Sequence, residues 1–114
     1  MPKRKLDPLP FTAFQILLAL AGEDLHGYGI MRHVAEQTTG RIRLGPGTLY
    51  SSIQTLLEEK LIEEVSPRED AETERRRCYR LTAAGRNLAI TEANRLADVL
   101  RLARRRKILR GAHV

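Results

Sequence analysis

Between Gly45 and Ile62 the side chains best suited to directed hydrogen bonding without charge are Thr48, Ser51, Gln54 and Thr55. Their spacing of three, three and one places them on one side of a helix. No Lys or Arg interrupts the stretch before Lys60. In a chain where 30% of residues are charged, a solvated helix face ordinarily carries long charged side chains and ion pairs four residues apart. Hydroxyls and carboxamides are instead the groups that meet donors and acceptors on base edges in a DNA major groove. The same face also fits the plain outer side of a core helix, so the surrounding chain has to decide between the two.

Other residue types that could do chemistry lead nowhere as sites. His26 and His33 are seven residues apart, about 10 Å along a helix, too far to share one metal ion. A turn histidine bonding the backbone at the start of a helix is the simpler reading of His26. Cys78, the single cysteine, excludes a disulfide framework and fits a reducing, bacterial-type cytoplasm. Flanked by arginines it has the setting of a redox switch, and equally that of a small apolar filler in a strand. Gly45-Pro46-Gly47 lacks the Lys-Ser/Thr of a phosphate-binding loop, and no nucleophile elbow or metal-spaced cluster is present. An enzyme and a bound cofactor are therefore not expected. The longest apolar run, Ile16 to Ala21, is far short of the roughly 18 residues of a membrane span, and the N-terminus has no export-signal core.

The formal net charge of +6 favours a polyanionic partner. Its distribution says more. Residues 1–66 carry seven basic and eight acidic side chains, whereas residues 67–114 carry thirteen basic and six acidic ones. The excess lies in Arg75-Arg76-Arg77 and in the segment from Arg95 onward, including Arg104, Arg105, Arg106, Lys107 and Arg110.

The elements that must position these groups follow from periodicity. Residues 1–10 hold Lys3-Arg4-Lys5 and three prolines and read as an extended basic arm. Thr12 is the expected cap of a helix that is apolar on most sides, through Phe14, Ile16, Leu17, Leu18 and Leu20, and ends at Gly22. Glu23 to His26 read as a turn, and Gly27 to Gln37 as a second helix closed by Gly40. Arg41-Ile42-Arg43-Leu44 alternates as a short strand. Gly45 then caps a third helix with Pro46 at its first position, and Leu49, Ile53, Leu56 and Leu57 form its apolar stripe. Leu61 to Val65 and Arg75 to Thr82 read as the strands of a hairpin whose tip, residues 66–73, is strongly acidic. Thr82 caps a last helix from Ala83 to about Lys107, extending about 38 Å. Ala89, Ala93, Leu96, Leu100 and Ala103 form a heptad-like seam along it that calls for another helix. A second copy of the chain is the natural supplier.

Together these make a mainly α fold with a small β-hairpin: a winged helix-turn-helix domain over residues 11–82, preceded by the arm and followed by a dimerisation helix over residues 83–110. In that arrangement the third helix enters the major groove of double-stranded DNA, with Thr48, Ser51, Gln54 and Thr55 as base contacts. Arg41, Arg43, Tyr50, Arg75, Arg76 and Arg77 are the expected phosphate contacts, since positioning and base reading are separable tasks. Tyr50 is also placed where it could simply pack. The basic C-terminal end reads as a solvated helix terminus favoured by the dipole, on the side away from the duplex.

Four motifs now carry a resemblance. His26-Gly27-Tyr28-Gly29-Ile30, Gly47-Thr48-Leu49-Tyr50, Leu56-Leu57-Glu58-Glu59-Lys60-Leu61-Ile62 and Tyr79-Arg80-Leu81-Thr82-Ala83-Ala84-Gly85-Arg86 are similar, in order and spacing over roughly residues 9 to 90, to the PadR family of bacterial transcriptional regulators. The resemblance implies a homodimeric repressor joined through its C-terminal helix, bound to an inverted-repeat operator and often released by a small-molecule effector. It also implies an effector pocket near Phe14, Leu96 and Leu100. The chain departs from the family pattern at Ser51-Ser52, where Pro-Ala is common, and at Lys60, where Gly is common. It has no Trp, the residue with which some members clamp flat aromatic drugs. A different class of function, a winged-helix adaptor that binds protein through its third helix, is the alternative; the basic wing argues against it.

Overall fold

A computed structural model describes residues 6, 8–65 and 77–110. In chain order the elements are α1 (Phe11–Gly22), β1 (Leu25–His26), α2 (Gly27–Gln37), α3 (Pro46–Glu58), β2 (Ile62–Val65), β3 (Cys78–Leu81) and α4 (Ala83–Arg105). The three strands form one antiparallel sheet in the order β1-β3-β2. Among the described residues the fold is thus a winged helix-turn-helix body with a long final helix.

α1 is the centre of the core. Ile16 and Leu17 are completely buried, with Ala13, Phe14 and Leu20 beside them, and Ile30, Val34, Leu56, Leu61 and Ile62 close around it. Among the described residues Gln15 is the one buried polar side chain, and the Gln37 amide donates to both its backbone and its side-chain oxygen, at 3.1 and 2.8 Å. That satisfies a carboxamide which would otherwise be unpaired in the core, and it ties α1 to the end of α2. The helix begins one residue before Thr12, with Pro10 in the cap position and its carbonyl accepting from the Phe14 N–H. Leu6 and Leu9 of the expected arm are buried in the core, while Lys3, Arg4 and Lys5 lie outside the described residues.

The third strand of the sheet is not where alternation placed it. Arg41 to Leu44 form no strand, although Leu44 is buried, Ile42 half-buried and both arginines exposed, as alternation requires. The edge of β3 is taken by β1, with Leu25 opposite Tyr79 and His26 opposite Cys78. Arg41 to Leu44 are instead fastened to the end of α2, where the Ile42 N–H donates to Thr38 Oγ1 at 3.0 Å.

α2, α3 and α4 all end in the same way. The second residue past each helix has positive φ, Thr39 at 54°, Lys60 at 60° and Lys107 at 63°, and the paired bonds of a Schellman motif follow, such as Leu61 N–H to Leu56 O and Lys60 N–H to Leu57 O. None of the three is Gly. A side chain in this region is disfavoured by about 1 kcal/mol. Lys60→Gly is therefore expected to stabilise the domain by about 0.5 kcal/mol, the relief of strain being partly offset by a more flexible unfolded chain. A urea midpoint equal to the parent's would show that Lys60 is unstrained there.

The turn that Lys60 makes is the seat of α4. The Thr82 N–H donates to Leu61 O (3.1 Å), the Thr82 hydroxyl to Lys60 O (2.8 Å), and the Gly85 N–H to Thr82 Oγ1 (3.0 Å) as the helix cap. Gly85 comes so close to this turn that a Cβ on it would stand 2.0 Å from the Leu61 carbonyl oxygen. α4 then packs its first half on α1, with Gly85 and Ala89 buried and Leu88 and Leu96 against the core. At 23 residues it is about 35 Å long, and its later part carries Val99, Leu100 and Leu102 exposed.

Candidate nucleic-acid interface

α3 starts abruptly because Gly45 occupies the cap position in extended backbone and Pro46 the first turn, where a missing N–H is harmless. Leu49, Ile53 and Leu56 bury one side of it and Leu57 is half-buried. Rotation about the helix axis then presents Gly47, Thr48, Ser51 and Gln54 to solvent. Thr55 belongs to this group only in part. It is half-buried, and its hydroxyl donates to the Ser51 carbonyl at 3.1 Å, which leaves it less free to bond anything outside the helix. Ser51 and Thr55 also line a small groove with Leu6, Pro10, Thr12 and Ala13.

The groups expected at phosphates surround this face. Arg41 and Arg43 are exposed just before α3, with Arg43 Nε donating to Gly40 O at 3.3 Å. Arg77 is exposed at the root of β3, 3.6 Å from Glu64 on β2. Both side chains are largely exposed, so this pair is weak and readily exchanged for another anion. Arg75 and Arg76 lie outside the described residues, as does the acidic tip of the hairpin. Tyr50 is 62% exposed on the flank of α3 and so is not packed within the protomer. The basic end of α4 is exposed at Arg104, Arg105, Arg106, Lys107 and Arg110.

Three tyrosines that reside in different motifs meet here. An open cleft of about 370 Å³ lies between the start of α2, the flank of α3 and the root of β3, lined by His26, Gly27, Tyr28, Tyr50, Arg77 and Tyr79. His26 caps α2 with its ring, Nδ1 accepting from the Gly29 N–H at 3.0 Å, as its reading as a turn histidine requires. The Tyr28 ring stacks on it at 6.4 Å. Tyr28 is 60% exposed and was not singled out by charge or periodicity; an aromatic directly after a helix-starting His-Gly was its only signal. Tyr79 is buried, and burial followed by the nearby Glu64 carboxylate raises its pKa above the ordinary phenol value. Beside it, Arg80 holds Asp24 through Nε and Nη2, with the shortest bond at 3.0 Å, fixing β3 to the turn before β1. That hydrogen bond raises the Arg80 pKa.

The seam residues of α4 separate into two groups. Ala89 is buried in the protomer's own core, and Leu96 is half-buried against it. Ala93 and Leu100 are exposed and Ala103 half-buried. Phe14 is likewise enclosed in the core, whereas Leu100 is exposed. His33 Nδ1 donates to Gly29 O (3.0 Å), and the ring lies 3.6 Å from Glu23; among the described residues no three His, Cys, Asp or Glu side chains cluster as a metal site. Cys78 is free and half-buried in β3. No helix among the described residues is long and apolar enough to cross a membrane.

Comparison with known proteins agrees with this architecture. A PadR family regulator from Clostridium difficile R20291 superposes with a TM-score of 0.74 at 22% identity, covering 84% of this chain and 97% of that one. A transcriptional regulator from Clostridium thermocellum gives a TM-score of 0.69 at 20% identity, over 92% and 97% of the two chains. In sequence, an uncharacterized 37.1 kDa protein of transposon Tn4556 from Streptomyces fradiae is 40% identical over 82 residues, which is 72% of this chain and 22% of that protein. The chain thus spans about a fifth of that relative's length. Residues 16–90 match the model of the PadR-like family of transcriptional regulators, and with the later part of α1, all of α2 and α3, the three strands and the first turns of α4 inside that match, the chain belongs to this family of transcription regulators.

Proposed function

We propose that the protein is a homodimeric repressor that reads an inverted-repeat operator through α3. The observation that carries this reading is the exposed, uncharged face of Thr48, Ser51 and Gln54, bordered by the exposed arginines Arg41, Arg43 and Arg77. Short polar groups reach base edges while the cations hold the backbone on either side. Thr55 contributes less than the other three, its hydroxyl being engaged within the helix. Arg75, Arg76 and Tyr50 complete the backbone contacts.

Dimerisation is supported by the second half of α4. The helical stripe that buries Gly85 and Ala89 and half-buries Leu96 continues through Val99, Leu100 and Ala103, and Val99 and Leu100 are exposed there. Apolar surface of that kind on a helix is covered by a like helix. A two-fold dimer places its two reading helices about 34 Å apart, one turn of duplex. Repression follows from occupancy of the operator. An effector, where one acts, enters between protomers beside Leu96 and Leu100, because Phe14 is shut within the core.

Gel shifts test the reading. Ser51→Ala and Gln54→Ala are each expected to weaken binding to a selected duplex about tenfold or more while leaving binding to scrambled duplex unchanged. Arg77→Ala is expected to weaken both and to reduce the slope of log affinity against log salt by about one per protomer. A parent protein that binds selected and scrambled duplex alike would leave the adaptor reading in its place.

A further inference from the structure

The cleft beside α3 is built almost wholly of donors. The first N–H groups of α2, at Gly27 and Tyr28, have no acceptor within the helix, and the helix dipole adds partial positive charge where they emerge. The next N–H, of Gly29, is taken by the His26 ring, so the cap orients the helix start without closing it. Exposed phenols of Tyr28 and Tyr50 flank the opening and the Arg77 guanidinium stands at its rim.

Tyr79 is the independent observation. It is only 4% exposed, yet its hydroxyl has no hydrogen-bond partner among the described residues. Every fully buried side-chain nitrogen and oxygen there does have one, so this hydroxyl must emerge at a surface, and the surface that Tyr79 lines is the back of the cleft. A buried tyrosine ordinarily bonds something. With its pKa raised by burial and by Glu64, the phenol keeps its proton and can donate it alongside the donors already present. Among the described residues the opposing group is Glu64, which holds Arg77 at 3.6 Å and would yield it to a stronger anion.

A pocket of amides, phenols and a guanidinium suits an anion with several acceptor oxygens. Because the cleft is open and lies between the flank of the reading helix and the root of the wing, its occupant can be part of a larger body lying along both. We propose that the cleft seats one backbone phosphate of the DNA duplex, with the α2 N–H groups and the hydroxyls of Tyr28, Tyr50 and Tyr79 around its oxygens and Arg77 at its edge. This rests on the DNA-binding reading above and adds Tyr28, Tyr79 and the start of α2 to the contacts that position α3.

The test uses the full chain and a duplex selected by it from a random pool, remade with a neutral methylphosphonate at one linkage at a time. Tyr79→Phe removes a hydroxyl without an internal partner, and its thermal midpoint is expected to match the parent's. Its affinity should fall about tenfold, with sequence preference kept, as for loss of a hydrogen bond to a charged group. One methylphosphonate position should weaken the parent by a similar factor and leave Tyr79→Phe almost unaffected. If Tyr79→Phe proves unstable, the exposed Tyr28→Phe is expected to give the same coupling at the same linkage. Sequence-selective binding with no coupled linkage for either variant would overturn the phosphate seat alone. Unchanged DNA affinity in the variants, with competition by inorganic phosphate seen only in the parent, would reassign the cleft to a free anion and overturn it too. A parent that binds no duplex would overturn both this proposal and the reading on which it rests.

Discussion

Gly85→Ala is expected to destabilise the domain by about 3 kcal/mol or more, because its single added carbon would lie far inside contact distance of backbone. The Cβ would meet the Leu61 carbonyl oxygen at 2.0 Å and its carbon at 3.0 Å, and neither can move away by a rotamer change. Relief would require α4 to lift off the turn after α3. That motion would break the bonds from Thr82 to Leu61 O and Lys60 O and open the packing of Ala89 and Leu96 on the core. Against a total stability of about 5–15 kcal/mol for a domain of this size, such a loss is read directly as a lower urea midpoint. A midpoint within experimental error of the parent's would mean that α4 does not approach the turn this closely.

Paired substitution of Val99→Glu and Leu100→Glu is expected to leave the protomer folded and abolish the proposed dimer. Both residues are exposed, at 48% and 40%, so neither supports the core of the single chain. In a two-fold seam each glutamate would be buried without a partner and would face its own copy, a penalty on the order of 3 kcal/mol or more, which is about a hundredfold or more in dimer dissociation. Sedimentation equilibrium should report a monomer at concentrations where the parent is dimeric, with an unchanged helical spectrum. Operator binding should fall in parallel, while binding to scrambled duplex changes little. A variant that remains dimeric would move the interface elsewhere, with the exposed Phe11 and Leu18 of α1 the next surface to examine.

What the sequence made legible were the features fixed by near neighbours. Gly45-Pro46 starts α3, His26 and Thr82 cap α2 and α4, and Lys60, at positive φ, stands where glycine is common in the resembling family. Each depends on residues within a turn or two. Features that depend on distant partners were misread or missed. Leu25-His26 is too short to show a period, and only β3, more than fifty residues later, makes it a strand. Arg41 to Leu44 has the period and lacks the edge to pair with. The helix cap fell on Pro10 because proline already fixes its own backbone, whereas Thr12 had only its hydroxyl to recommend it. Of the reading face, Thr48, Ser51 and Gln54 are where helical spacing put them; Thr55 turned its hydroxyl onto Ser51, a bond that spacing alone does not disclose. Ala89 was counted with the seam because its spacing is correct, but the domain body covers that turn of the helix. The cleft gathers Tyr28, Tyr50 and Tyr79 from three motifs, and no one motif contains enough of it to announce it.

The joint at Thr82 has a mechanical consequence. Leu61 O and Lys60 O, at the end of α3, are bonded to the residue that caps α4, and Gly85 removes any slack between them. The reading helix and the long helix therefore turn as one bracket. In the proposed dimer, the two brackets share a hinge line where their α4 helices cross, so the jaw opening between the α3 helices is set by that crossing angle. A small rotation there is carried at full leverage to the DNA face. Control of such a molecule needs no change within either domain, only a shim at the hinge.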